Sequence, residues 1–125
     1  MEERVRSGQV WVVQLDPTTG SETRKTRPCV VVSNDQANRH SRCVTILPVT
    51  EWSEKKATYP ICVALSAESG LKKQSVADAS QIRTVDKRRL GRPLGLVPRD
   101  QMTRIDRAML IHLGIEAPWG PSGAA

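Results

Sequence analysis

Four short apolar runs, rich in β-branched residues and set apart by proline, glycine and charge, dominate the first half of the chain. They are QVWVVQLD (Gln9–Asp16), PCVVVS (Pro28–Ser33), CVTILPVT (Cys43–Thr50) and YPICVAL (Tyr59–Leu65). Runs of this kind read as strands. Pro17 ends the first. The second is nearly all apolar, which places it centrally in a sheet or under cover on both faces. Pro48 has no N–H to donate, so the third is expected to lie at an edge or a bulge there. SAESGLKKQ turns the chain, with a short helical turn ending at Gly70. Ser75–Ile82 reads as a weaker fifth strand, RTVDKRRLG as a basic turn and RPLGLV as a short sixth strand.

Pro98–Leu113 is the one good helix. Proline suits a first turn, and Gly114 stands where a C-terminal cap belongs. Met102, Ile105, Met109 and Leu113 fall on one stripe, and Asp100 precedes Arg104 by one helical turn, the favourable order for an ion pair. Short strands followed by one helix predict a mainly β fold with a C-terminal α-helix, the sheet curled into a small barrel. Closure is the usual way such a sheet disposes of its edges.

A chain of 125 residues fits one domain, here residues 1–115, followed by a Pro/Gly/Ala-rich tail, 116–125, expected to be flexible, with Trp119 free to dock locally. No apolar run approaches the roughly 20 residues that span a bilayer. MEERVRSGQV lacks the apolar core of a signal peptide, so the expected compartment is the cytoplasm. The net charge of +6 favours an acidic partner, most commonly nucleic acid. Phenylalanine is absent and there is one tyrosine, which argues against an RNA module built on stacked rings.

The three cysteines, Cys29, Cys43 and Cys62, sit among strand-like neighbours with no CxxC or Cys/His cluster. They read as buried reduced thiols, and no metal site is expected. There is no P-loop, no GxSxG and no paired-carboxylate motif. His40 and His112 are isolated, each reading as a structural or surface residue. Chemistry here has to rest on Arg, Lys, Glu, Ser and Thr.

The stretch GSETRKTRPCVVVSND (Gly20–Asp35) is the strongest candidate. Pro28 steers Arg27 toward an extended conformation, and a guanidinium fixed at a strand entrance is a ready fork for phosphate. Ser21 and Glu22 supply a hydroxyl and a carboxylate nearby, and Arg24 and Lys25 add charge. A solvated basic loop is the plainer reading of the same residues. Thr50 ends the third strand. If the second and third strands pair antiparallel, Arg27 and Thr50 share one rim.

These residues resemble the MazF/PemK toxins, the endoribonuclease components of toxin–antitoxin modules. The likeness runs from GQVWVVQLDPTTGSETRKTRPCVVVSND through VTILPVTEW and YPICVAL to ADASQIRTVDKRRL and the helix VPRDQMTRIDRAMLIHLGI. It implies an SH3-like barrel, like that of the related CcdB toxins, and a homodimer. It also implies cleavage of single-stranded RNA at short sequences without metal or other cofactor. Arg27 and Thr50 take the places of the family's catalytic pair, and Ser21 and Glu22 those of its RNA-contacting loop residues, Glu22 also being a candidate base. Gln81 and Arg83 match a recurrent family pattern tied to RNA binding. The added charge of Arg24 and Lys25 strengthens RNA-backbone binding. A cognate acidic, MazE-like antitoxin is the implied protein partner. A topoisomerase-poisoning toxin on the same barrel and a non-catalytic nucleic-acid-binding module are the alternatives.

Overall fold

A computed structural model describes residues 4–116. In chain order its elements are β1 (Gln9–Gln14), β2 (Thr26–Val31), α1 (Asp35–His40), β3 (Cys43–Glu51), α2 (Glu54–Ala57) and β4 (Cys62–Leu65). They continue with β5 (Ser75–Asp78), β6 (Arg83–Asp86), β7 (Leu90–Leu96) and α3 (Arg99–Leu113). Single 3-10 turns stand at Ala67–Ser69, Ala79–Gln81 and Lys87–Arg89. The fold is mainly β with a C-terminal helix, as the patterning predicts. All but residue 116 of the tail, Trp119 included, lies outside the described residues.

β3 organises the sheet because it holds three neighbours. On one side β2 pairs antiparallel with it, Cys29 opposite Pro48 and Val31 opposite Ile46. On the other, its first half pairs with β6, Cys43 opposite Asp86 through Ile46 opposite Arg83. Its second half pairs with β5, Val49 opposite Ala77 through Glu51 opposite Ser75. Pro48 falls between the last residue paired with β6 and the first paired with β5, where a missing N–H removes no rung. The expected edge position is therefore corrected: Pro48 is fully buried in a central strand, at a change of partner.

The second correction concerns Arg83–Asp86, which is a strand rather than part of a basic turn. Accordingly the sheet has seven strands, in the order β4-β5-β3-β2-β1-β7 with β6 on β3. The fifth strand is shorter than expected, ending at Asp78 before the 3-10 turn.

β2 is central and covered on both faces, as its unbroken apolar run predicts. Alternate residues serve separate clusters. Val30, with Val10, Leu47 and Val49, faces α3 through Ile105 and Ala108. Cys29 and Val31 face the other way with Trp11, Val13 and Ile46. Burying Ile105 alone contributes about 1.5–3 kcal/mol. In α3 the stripe runs Met102, Ile105, Ala108, Met109. Leu113 departs from it, 53% exposed at the last turn. Pro98 precedes the helix and Gly114 closes it at φ 69. The Asp100–Arg104 pair forms at 3.3 Å, exposed and worth little.

Closure does not occur. Among the described residues the sheet ends at β4 on one side and β7 on the other, with no ladder between them. The 3-10 turn at Ala67–Ser69 leans on β7 instead, at a point where only glycine fits. A Cβ on Gly95 would lie 2.5 Å from the carbonyl carbon of Ser69. The structure is a strongly bent open sheet, barrel-like only in a loose sense.

Candidate active site

β2 and β3 bring Arg27 and Thr50 to one rim. Their pairing runs from Val31 opposite Ile46 to Cys29 opposite Pro48. Continued by two residues toward the rim, the same register sets Arg27 against Thr50. Both side chains belong to the face of Cys29 and Pro48, since side chains alternate along a strand. Arg27 is half-buried and lies opposite Val13 of β1, so strands flank it on both sides. Its Nε donates to the Arg24 carbonyl at 2.9 Å, which fixes the plane of the guanidinium. That carbonyl is turned back by Lys25, a non-glycine residue at φ 71. Among the described residues no carboxylate forms an ion pair with Arg27.

An open groove of about 390 Å³ is lined by Ser21, Glu22, Pro48, Gln81, Ile82 and Arg83 among others; it reaches the Thr50 strand at Pro48, and neither Arg27 nor Thr50 lines it. Four of the candidate residues are thus gathered in one depression. Arg24 and Lys25 stay exposed on the loop and do not line it. Gln81 and Arg83 also hold the loop in place. Gln81 Oε1 accepts from Thr23 N at 3.0 Å, and Arg83 Nη1 donates to the Leu15 carbonyl at 3.2 Å. Arg89 assists from the next turn, donating to the carbonyls of Gln14 at 3.0 Å and Asp16 at 2.6 Å. Glu22 Oε1 accepts from Thr19 N at 2.6 Å, so its carboxylate is engaged within its own loop.

The residue that sequence reasoning missed is Lys56. EWSEKKAT reads as a charged loop, yet Ser53 caps the short helix α2, its hydroxyl accepting from Lys56 N at 3.1 Å. The turn throws the half-buried Lys56 side chain back over β3, where Nζ donates to Thr50 Oγ1 at 3.1 Å and to the Glu51 carbonyl at 3.2 Å. A serine three residues ahead of a lysine was the available signal.

The thiols report on this electrostatic setting. Burial pushes the Cys29 thiol up to about 12, although Arg83 and Arg27 pull it down. Both guanidiniums therefore bear on the same spot beneath the rim. Burial and then the charge of Asp78 raise Cys62, while Lys56 opposes them. All three cysteines are free, but Cys43 and Cys62 are only half-buried, against expectation. His40 and His112 are exposed on their helices. Among the described residues, no three His, Cys, Asp or Glu side chains gather as a metal-binding group.

Comparison with known proteins places the fold in a family. The chain is 41% identical over 117 residues to the endoribonuclease MazF9 of Mycobacterium tuberculosis, an alignment covering 89% of this chain and 98% of the relative. A structure of a mycobacterial endoribonuclease with its cognate antitoxin superposes with a TM-score of 0.75 at 29% identity, covering 91% of this chain and 99% of that one. MazF from Deinococcus radiodurans superposes with a TM-score of 0.80 at 25% identity, over 91% of this chain and 100% of its own. With residues 6–113 matching the family's sequence model, the chain belongs to the PemK-like, MazF-like toxins of type II toxin–antitoxin systems.

Proposed function

We propose that the chain is a toxin endoribonuclease that cuts single-stranded RNA, including mRNA, at short specific sequences without a metal ion. A single domain, residues 1–115, carries the activity as a homodimer in the cytoplasm. The observation that carries this reading is the shared rim of Arg27 and Thr50 together with a groove lined by Ser21, Glu22, Gln81 and Arg83.

In the reaction a ribose 2′-oxygen attacks the adjacent phosphorus. The P–O2′ bond forms and the P–O5′ bond breaks, leaving a 2′,3′-cyclic phosphate and a 5′-hydroxyl. Negative charge builds on the phosphoryl oxygens, where the Arg27 guanidinium meets it. Arg27 also hydrogen-bonds the departing 5′-oxygen, which takes its proton from water. A guanidinium stays protonated in proteins and is no base. Thr50 hydrogen-bonds a phosphate oxygen. Glu22 accepts the 2′-hydroxyl proton once the loop releases it from Thr19. Ser21, Gln81 and Arg83 contact the RNA strand, and Arg24 and Lys25 add attraction for its backbone. DNA has no 2′-hydroxyl and is not cut.

A cognate acidic, MazE-like antitoxin silences the enzyme by covering the same anion-binding groove, so that RNA and inhibitor compete. The test is incubation of the purified protein with a long mixed RNA in EDTA, followed by sequencing of the new 5′ ends. Cuts at a recurrent short sequence bearing 5′-hydroxyls are expected. Intact RNA would leave a binding module or a topoisomerase poison, separable by RNA-binding and gyrase assays.

A further inference from the structure

We infer that Lys56 is a positioning residue of the same site. It aims the Thr50 hydroxyl at the scissile phosphate and offers its own remaining N–H to that phosphate. The inference rests on the endoribonuclease reading and adds a residue to it.

The argument starts from donor counting. An ammonium has three protons to donate and accepts nothing. In the contact between Lys56 Nζ and Thr50 Oγ1 at 3.1 Å, the threonine must therefore be the acceptor. Its own proton then points elsewhere. A lone pair engaged by a cation also makes the hydroxyl a poorer base and a better donor. Thr50 is thereby cast as a donor to phosphate rather than as the acceptor of the 2′-hydroxyl proton.

Among the described residues two protons of Lys56 are used, on Thr50 Oγ1 and on the Glu51 carbonyl at 3.2 Å, and the third is left over. Both acceptors are neutral. Among the described residues no carboxylate forms an ion pair with Lys56. A half-buried cation held only by neutral oxygens is poorly compensated until an anion arrives. The Ser53 cap and the bond to the Glu51 carbonyl hold the ammonium on the rim without a ligand. From α2 it reaches Thr50 and Glu51 of β3, the strand that pairs with β2, on which Arg27 lies.

The test compares wild type, Lys56→Met, Thr50→Val and the double variant on a cleavable oligoribonucleotide. Lys56→Met should lower kcat by about 10²-fold with KM changed by less than about fivefold. Because the Lys56 ammonium and the Thr50 hydroxyl meet the phosphate as one hydrogen-bonded unit, the double variant should lose no more than about threefold beyond the worse single variant. Wild-type kcat in Lys56→Met, or losses that multiply, would overturn the inference. If wild type cuts no RNA, the nuclease reading fails instead. Lys56 is then judged by binding of a 2′-O-methyl oligonucleotide. Lys56→Met should make the slope of log affinity against log salt shallower by about 0.7, one phosphate contact, and an unchanged slope would overturn it. Lys56→Gln replaces Lys56→Met in both arms should the latter not fold.

Discussion

Arg27 of β2 and Thr50 of β3 each stand two residues beyond Cys29 and Pro48, the pair at which the antiparallel β2–β3 ladder ends. The guanidinium and the hydroxyl therefore emerge from one rim, each supported by backbone pairing: Arg27 against Val13, Thr50 against Val76. Paired strands thus carry Arg27 and Thr50, while Ser21 and Glu22 stand on the first loop.

Arg27→Ala should cut the cleavage rate by about 10²–10³-fold, the usual cost of one preorganised donor. Arg27→Lys should recover little, because a point charge does not reproduce the guanidinium fork. Since the side chain bonds only the Arg24 carbonyl, thermal unfolding should show a stability change within about 1 kcal/mol. Single-turnover rates beside melting curves check both statements.

Gln81→Ala should loosen the first loop without unfolding the sheet. It leaves Thr23 N without its acceptor, a cost of about 1 kcal/mol. Amide exchange at Thr23 and its loop neighbours should quicken by about fivefold. Exchange in β2 and β3 should not change. Hydrogen–deuterium exchange mass spectrometry separates the two regions.

Lys25 holds a left-handed backbone at φ 71, which costs an ordinary side chain about 1–2 kcal/mol. Lys25→Gly should be neutral or stabilising, since relief of strain offsets the extra freedom of the unfolded chain. Lys25→Val should destabilise by about 1–2 kcal/mol relative to wild type, because β-branching deepens the clash. Urea unfolding of the pair measures the difference.

The Cys29 thiol gives the protein an alkaline weakness. Its value rises from 9.0 in a free thiol to about 12 in the fold, with burial the main cause. The unfolded chain loses this proton above pH 9 while the folded chain keeps it, so stability falls as pH rises. At about pH 10.5 the loss from this group is about 2 kcal/mol. In Cys29→Ala the decline between about pH 8 and 10.5 should shrink by that amount. Denaturant titrations of both proteins at the two pH values test it.

Gly95→Ala should destabilise by about 2–3 kcal/mol, because its Cβ would press on the Ser69 carbonyl, which is backbone and cannot swing aside. Calorimetry of this variant, with Gly91→Ala in the same strand as a milder comparison, is the measurement.

How much of this was legible depended on where the information lay. β1, β2 and β3 could be read because their apolar runs are local, and the antiparallel pairing of β2 with β3, on which the placing of Arg27 and Thr50 rests, followed from strand order. β6 could not. Its RTVD has three polar residues in four and gains its strand character from β3, where Val85 is buried and the Thr84 hydroxyl meets that of Thr45 at 2.9 Å. The open sheet was hidden as well, because it depends on Ser69 seating on Gly95, distant in sequence. Lys56 was hidden for the same kind of reason, since its place follows from the Ser53 cap rather than from any pattern of its own. Glu22 was legible as a loop carboxylate, but not its engagement with Thr19.

The three neighbours of β3 divide the molecule into a platform and a lip. Thr50 stands where the platform is stitched down on the β5 side. The lip carrying Ser21 and Glu22 is closed at its base by one backbone bond, Leu15 N to the Lys25 carbonyl at 3.0 Å, and held by the side chains of Gln81, Arg83 and Arg89. Such a division lets descendants of this chain rewrite the lip while Arg27 and Thr50, borne on strands, stay put.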